Sequence, residues 1–220
     1  MLIILKLIAP NLSEKVRMKI ISDVYRFLRS ASSLLTGHIV GVVDALVEQI
    51  ESKVLIAESD NIISALTSYI SSSEKNTLDT TVSGLKTLSN LLNKLHDVQP
   101  TLWIGSLPVI FISVKGYLVA DSNPSEAVAE VLKDLINVHI DLKLSMTGAS
   151  KLCNNDEDVN PETSAIVDLC SVFSNMLNTC KSPTEPMLDV ISALFLRLGM
   201  FFYQFLPKCA SFKFTTADIH

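Results

Sequence analysis

Apolar residues recur along this chain at steps of three and four, the period of one face of an α-helix. The first run is Val16, Ile20, Ile21, Val24, Phe27, Leu28, Ala31, Leu34 and Leu35, capped by Ser13 and broken at Gly37. A second takes in Ile39, Val43, Leu46, Val47, Ile50 and Val54. A third, Ile62, Ile63, Leu66, Tyr69 and Ile70, starts at Asp60 and stops at Ser71-Ser72-Ser73. Leu78, Val82, Leu85, Leu88, Leu92 and Leu95 follow at near-heptad spacing and end at Gln99-Pro100.

Helix starts are well marked in the second half. Asn123-Pro124-Ser125-Glu126 supplies a cap residue, a proline whose missing N–H costs nothing in the first turn, and an acid that complements the helix dipole. Asn160-Pro161-Glu162-Thr163 repeats the scheme, and Ser182-Pro183-Thr184-Glu185 is a third copy blurred by Pro186. These starts launch helices with Val131, Leu135, His139 and Leu142; with Ile166, Leu169, Cys170, Phe173, Leu177 and Cys180; and with Ile191, Leu194, Phe195, Leu198, Phe202 and Phe205. Thr101–Ala120 holds a β-branched run, Val109-Ile110-Phe111-Ile112, that suits a strand by propensity. No partner strand or Asn-Gly hairpin accompanies it, so it reads as a buried helix beginning near Pro108.

The pattern therefore predicts an all-α chain, a single globular bundle of about seven to nine helices spanning residues 1–220. Met187–Leu206 is apolar on every face and belongs at its centre, since only neighbouring helices could cover it. No domain-length repeat and no linker is visible.

Composition sharpens this. Hydrophobic residues make up 48% and charged residues 19%, with a mean hydropathy of +0.38; soluble domains usually carry about 25% charged residues. Such a bias implies a thick core, a self-associating surface or membrane contact. Thr101–Ala120 and Met187–Leu206 approach the length of a membrane span, but Arg197 near the middle of the second would cost ~2.5–3.5 kcal/mol in a bilayer. Membrane contact is therefore not favoured. A membrane-active protein of toxin- or apolipoprotein-like kind, inserting 101–120 or 187–206, stands as the competing reading. Met1–Pro10 is apolar but interrupted by Lys6, and reads as part of the fold rather than as a leader. The net charge is −5, and the densest basic stretch, Lys15, Arg17, Lys19, Arg26 and Arg29, is interleaved with apolar residues, which excludes a nucleic-acid footprint.

All four cysteines, Cys153, Cys170, Cys180 and Cys209, lie in the last 70 residues without a C-x-x-C pair or zinc-ligand histidine spacing, so no metal site is expected. Cys170 and Cys180 share one predicted helix, whose ten-residue rise of ~15 Å is too long for a disulfide. Two pairings stay open: Cys153–Cys170 with Cys180–Cys209, or Cys153–Cys180 with Cys170–Cys209. The other reading is four buried thiols. Disulfides, with the sequon Asn11-Leu12-Ser13 as a candidate glycosylation site, favour an extracellular or secretory-pathway protein, the cytoplasm being the alternative.

Phe195, Leu198, Phe202, Phe205 and His139 are candidates to line an apolar cavity for a small molecule or lipid between helices, against the reading of plain core. His139 lies in register with an apolar stripe and is more often a satisfied core residue than a switch; His38, His96 and His220 carry no signal. Asn154, Asp156 and Asp158 alternate as an EF-hand loop begins, but Val159 and Ala165 stand where glycine and glutamate are required. No catalytic motif and no cofactor-binding motif is present. The reading is thus a non-enzymatic binding or structural protein that acts by protein partnership, by self-association or by holding an apolar ligand. An intracellular helical adaptor is a further alternative.

Overall fold

In a computed structural model the described residues are 2–28, 33–71, 78–118, 123–140, 161–180, 182–203 and 205, without the side chains of 33, 34, 78, 123–125 and 200. Among them there is no strand. The α-helices are α1 Leu2–Ile8, α2 Glu14–Phe27, α3 Ser33–Gln49, α4 Ser52–Leu55, α5 Ser59–Ser71, α6 Leu78–Leu95, α7 Trp103–Leu118, α8 Asn123–His139, α9 Pro161–Thr179, α10 Glu185–Leu198 and α11 Met200–Tyr203. Short 3-10 turns cover Ala9–Asn11 and Ile56–Glu58. Eight of the described helices have 13 to 19 residues, so the all-α class and the number of long helices follow the hydrophobic period.

Several boundaries differ from the sequence reading, each for a physical reason. α2 ends at Phe27, and Gly37 sits inside α3, where a Cβ would already meet Thr80 of α6 at 3.3 Å. α7 begins at Trp103, ahead of Pro108, which lies within the helix; burial of Ile110, Phe111 and Val114 overrides the strand propensity of that run. The α10 cap is Thr184, not Ser182: its hydroxyl accepts the Met187 N–H at 3.4 Å, and Pro186 falls harmlessly in the first turn. The capping side chains of Asn123 and Asn160 lie outside the described residues.

Met187–Leu206 is not one helix covered on all sides. It stops at Leu198 because Gly199 adopts φ +53°, a left-handed conformation that favours glycine. The Gly199 N–H then closes on Phe195 O at 2.7 Å. Met187, Val190, Leu194 and Leu198 are buried, whereas Leu188, Phe195 and Leu196 face outward.

The packing pattern is regular. α3, α6, α8 and α10 lie side by side in one layer, α3 on α6, α6 on α8 and α8 on α10. α2, α5, α7 and α9 form the second layer in the same order. The layers join through the hairpins α2–α3, α5–α6 and α7–α8. Helices thus alternate between layers along the chain, and each meets its next-but-one neighbour. α2, α5 and α7 begin at residues 14, 59 and 103, successive steps of 45 and 44 residues. Those steps lie in the range of two-helix repeats, in which each pair buries its apolar face against the next. The described helices therefore stack as an α-solenoid, a repeat that residue identities alone do not display. A contiguous apolar core, including Ile21, Leu46, Leu66, Leu88, Phe111 and Phe173, runs between the layers.

Close approach between the layers has a specific requirement at Gly84. A Cβ there would lie 2.9 Å from the Tyr69 ring of α5, itself 4% exposed. Gly84→Ala should destabilise the protein by about 1–2 kcal/mol, because overpacking outweighs the gain in helix propensity. Urea denaturation midpoints check this, and a stabilised variant would show that Tyr69 moves freely.

Candidate interaction surfaces

The outer face of the α3–α6–α8–α10 layer is bound together by polar side chains that reach across each step. Asn90 donates to Asp44 at 3.1 Å, linking α6 to α3. Asn93 donates to Asp134 at 2.8 Å, linking α6 to α8. Lys133 pairs with Asp189 at 3.0 Å, and Arg197 donates to Asn137 at 3.2 Å, both joining α8 to α10. Lys94 crosses from α6 to the end of α3, where its ammonium donates to Val47 O at 2.6 Å and Glu48 O at 2.7 Å. Carbonyls at a helix C-terminus lack intrahelical partners, so this cation satisfies two of them. Burial pulls the Lys94 pKa below its usual value.

Arg197, which a bilayer would penalise, therefore lies at the water-facing rim and bonds an asparagine. No helix among the described residues is long and apolar enough to cross a membrane.

The second layer exposes a different face on α7. Gly105, Val109, Ile112 and Gly116 follow at helical spacing, Val109 and Ile112 being 45% and 50% exposed. A Cβ at either glycine would meet nothing within 4 Å, so this strip is a shallow surface of small and apolar residues open to close approach. Beside it, Ser113 lies 2.6 Å from Ser71 of α5. A depression of about 370 Å³ at the other end of the layer is lined by Tyr25, Arg26, Asn61, Ser64 and Ala65, a mostly polar set.

The five residues read as lining for an apolar ligand differ in burial. Leu198 and Phe202 are buried, Phe205 is half-buried with its ring 5.5 Å from that of Phe201, and Phe195 is 43% exposed and turned to solvent. His139 is buried and packs against α6. Asn93, whose amide donates to Asp134, presents its oxygen to His139 Nε2 at 3.0 Å, which makes Nε2 the protonated nitrogen. The His96 ring meets His139 edge-on, centroids 5.0 Å apart, and both Nδ1 atoms are buried without a hydrogen-bond partner among the described residues. Burial first, then the neighbouring His96, lowers the His139 pKa to about 4 against the opposing pull of Asp134. Sequence reasoning missed His96: it follows the end of its helix, and only packing of α6 on α8 brings it to His139.

Cys170 and Cys180 are free thiols, Cys170 buried in the core with its pKa pushed up to about 12 by burial. An interior thiol of that kind is a small apolar residue rather than a nucleophile. Cys153, Cys209, His220 and the acidic stretch Asn154–Asp158 lie outside the described residues. Among the described residues no group of three or more histidine, cysteine or acidic side chains is placed to hold a metal ion. Asn11 is exposed at the end of its 3-10 turn.

Residues 1–54 match a family model described as RRP12-like, N-terminal HEAT repeats. That segment spans α1 to α3 and most of α4, and so contains the hairpin α2–α3. No curated protein and no solved structure matches the chain.

Proposed function

We propose that this chain is an intracellular helical adaptor, non-enzymatic, that works by presenting the faces of stacked helical pairs to protein partners. The observation that carries the reading is the two-layer stack with its steps of 45 and 44 residues, and the match of its first helical pair to a HEAT-repeat model supports it. Solenoids of this kind bury little on their outer faces and offer long continuous surfaces to partners. The free thiols of Cys170 and Cys180 favour a reducing compartment over the extracellular residence that four late cysteines and a sequon suggest. The exposure of Phe195 likewise favours protein association over an enclosed apolar ligand. We read residues 1–220 as one folding unit built on the continuous core.

Within this reading the partner lies against α7, packing an apolar segment along Gly105, Val109, Ile112 and Gly116. The test is affinity capture from cells, comparing the unmodified protein with Val109→Glu/Ile112→Glu. Both positions are about half exposed, so the pair should leave the thermal midpoint within a few degrees. The expected result is a discrete partner held by the unmodified chain and lost from the double variant, with cysteines reduced and Asn11 unglycosylated. A partner set unchanged by the substitution would overturn the α7 assignment. Recovery of oxidised, secreted protein would overturn the intracellular reading.

A further inference from the structure

Repeat stacks generally end in helices with a polar outer face, because the terminal unit has no neighbour to cover it. Neither end of the layer containing α3, α6, α8 and α10 follows that rule. At one end α1 packs on α3, with Leu2 and Leu5 partly buried against the core and Ile3, Ile4 and Leu7 60%, 60% and 71% exposed. At the other end, among the described helices, α10 has α8 on one side and turns Leu188, Phe195 and Leu196 outward, Leu196 being 77% exposed. Inside the stack, each helix buries apolar residues on both of its neighbours. The two ends present apolar faces where the next unit of the same layer would sit.

Their charges are opposite. α1 and α2 carry Lys6, Lys15, Arg17, Lys19 and Arg26 against Glu14 and Asp23, a net +3. Of these cations Lys6, Lys15, Lys19 and Arg26 are exposed, whereas Arg17 is engaged with the Leu12, Gln49 and Pro10 carbonyls. α9 and α10 carry Glu162, Asp168, Glu185 and Asp189 against Arg197, a net −3. Asp168 and Glu185 are exposed, and Asp189 is shared with Lys133. Pairing either end with itself would put like charges together; joining the two ends puts the net-positive helices α1 and α2 beside the net-negative α9 and α10.

From this we propose that the occupant of each end is a second copy of this chain, docked head to tail so that α1 of one copy lies against α10 of the next and extends the layer. The contact is heterologous: different patches meet, each copy keeps one free end, and assembly continues beyond the dimer unless the rotation closes a ring. The inference rests on the protein-association reading, but it concerns the stack ends rather than the α7 strip, and it is tested without a partner protein.

The experiment is sedimentation equilibrium of the purified full chain over a concentration series, with Leu7→Glu and Leu196→Glu as end-specific variants. Both leucines are exposed, so the circular dichroism melt should match that of the unmodified protein. The unmodified chain is expected to form concentration-dependent multiples of 24.1 kDa. Each variant alone should remain at the monomer mass, having lost one of the two complementary ends. An equimolar mixture of the variants should recover a dimer and nothing larger, because one intact α1 end and one intact α10 end remain. Three results would overturn the proposal: a monomeric unmodified chain throughout the series, a variant that still self-associates alone, or a mixture that stays monomeric. Val109→Glu/Ile112→Glu should self-associate like the unmodified chain, so loss of a cellular partner and loss of self-assembly can be told apart.

Discussion

Phe173→Ala is expected to lower the stability of the protein by about 3–5 kcal/mol, while Phe195→Ala lowers it by less than about 1 kcal/mol. Both are phenylalanines in C-terminal helices with similar sequence surroundings, and they differ in what covers them. Phe173 is 0% exposed and meets Phe111, 1% exposed, edge to face with ring centroids 5.2 Å apart. That pair ties α9 to α7, the principal neighbour of α9 among the described helices. Truncation removes the transfer free energy of the ring, leaves a cavity that two packed helices cannot close, and forfeits an aromatic contact of about 0.5–1.5 kcal/mol. Phe195 keeps its ring 43% exposed and loses much less. Trp103, the single tryptophan, is 3% exposed at the start of α7 and reports this region by fluorescence during urea unfolding. Equal losses for the two variants would contradict the placement of α10 at the edge of the stack.

The same contrast shows where the sequence is informative. Periodicity reveals that a face is apolar, and it located the long helices well because each buries one stripe against a neighbour. It does not reveal how many sides are covered. Met187–Leu206 is apolar all round, which in a closed bundle means a central helix and in an open stack means a terminal one. The distinction depends on the layered arrangement, and the repeat step is carried by element positions, not by repeated residues. Glycines mislead in the same way. Gly37 reads as a break, whereas it and Gly84 both mark places where a helix comes close to its neighbour. Of the interaction surfaces, the Gly105–Gly116 strip follows from helical spacing once α7 is known to start at Trp103. The ladder from Asp44 to Arg197 does not, because its partners lie 41 to 60 residues apart in the chain.

Acidification provides the second large effect. Stability should be at its plateau above about pH 6.5 and fall by roughly 2–3 kcal/mol as the pH drops toward 4, in a manner that depends on His139. His139 is 4% exposed, and burial together with His96 holds its pKa at about 4, below the 6.5 of an exposed imidazole. Between those two values the unfolded chain takes up a proton that the folded one refuses. Protonation therefore drives unfolding, and stability rises with pH across the window. The groups facing His139 explain the refusal. Asn93 Oδ1 already uses the Nε2 proton, so a second proton must go on the buried Nδ1, beside His96 and with no acceptor among the described residues; Asp134 opposes this only partly. His139→Gln keeps an amide donor for Asn93 and removes the titration. The measurement is the urea midpoint of both proteins from pH 7.5 to 4.5, with the glutamine variant taken as the baseline for every other ionising group. The unmodified chain should lose stability relative to that baseline below pH 6.5. Parallel profiles would mean that His139 accepts a proton in the folded stack without cost, and that the contact of α6 with α8 around His96 is looser than the 5.0 Å ring separation describes.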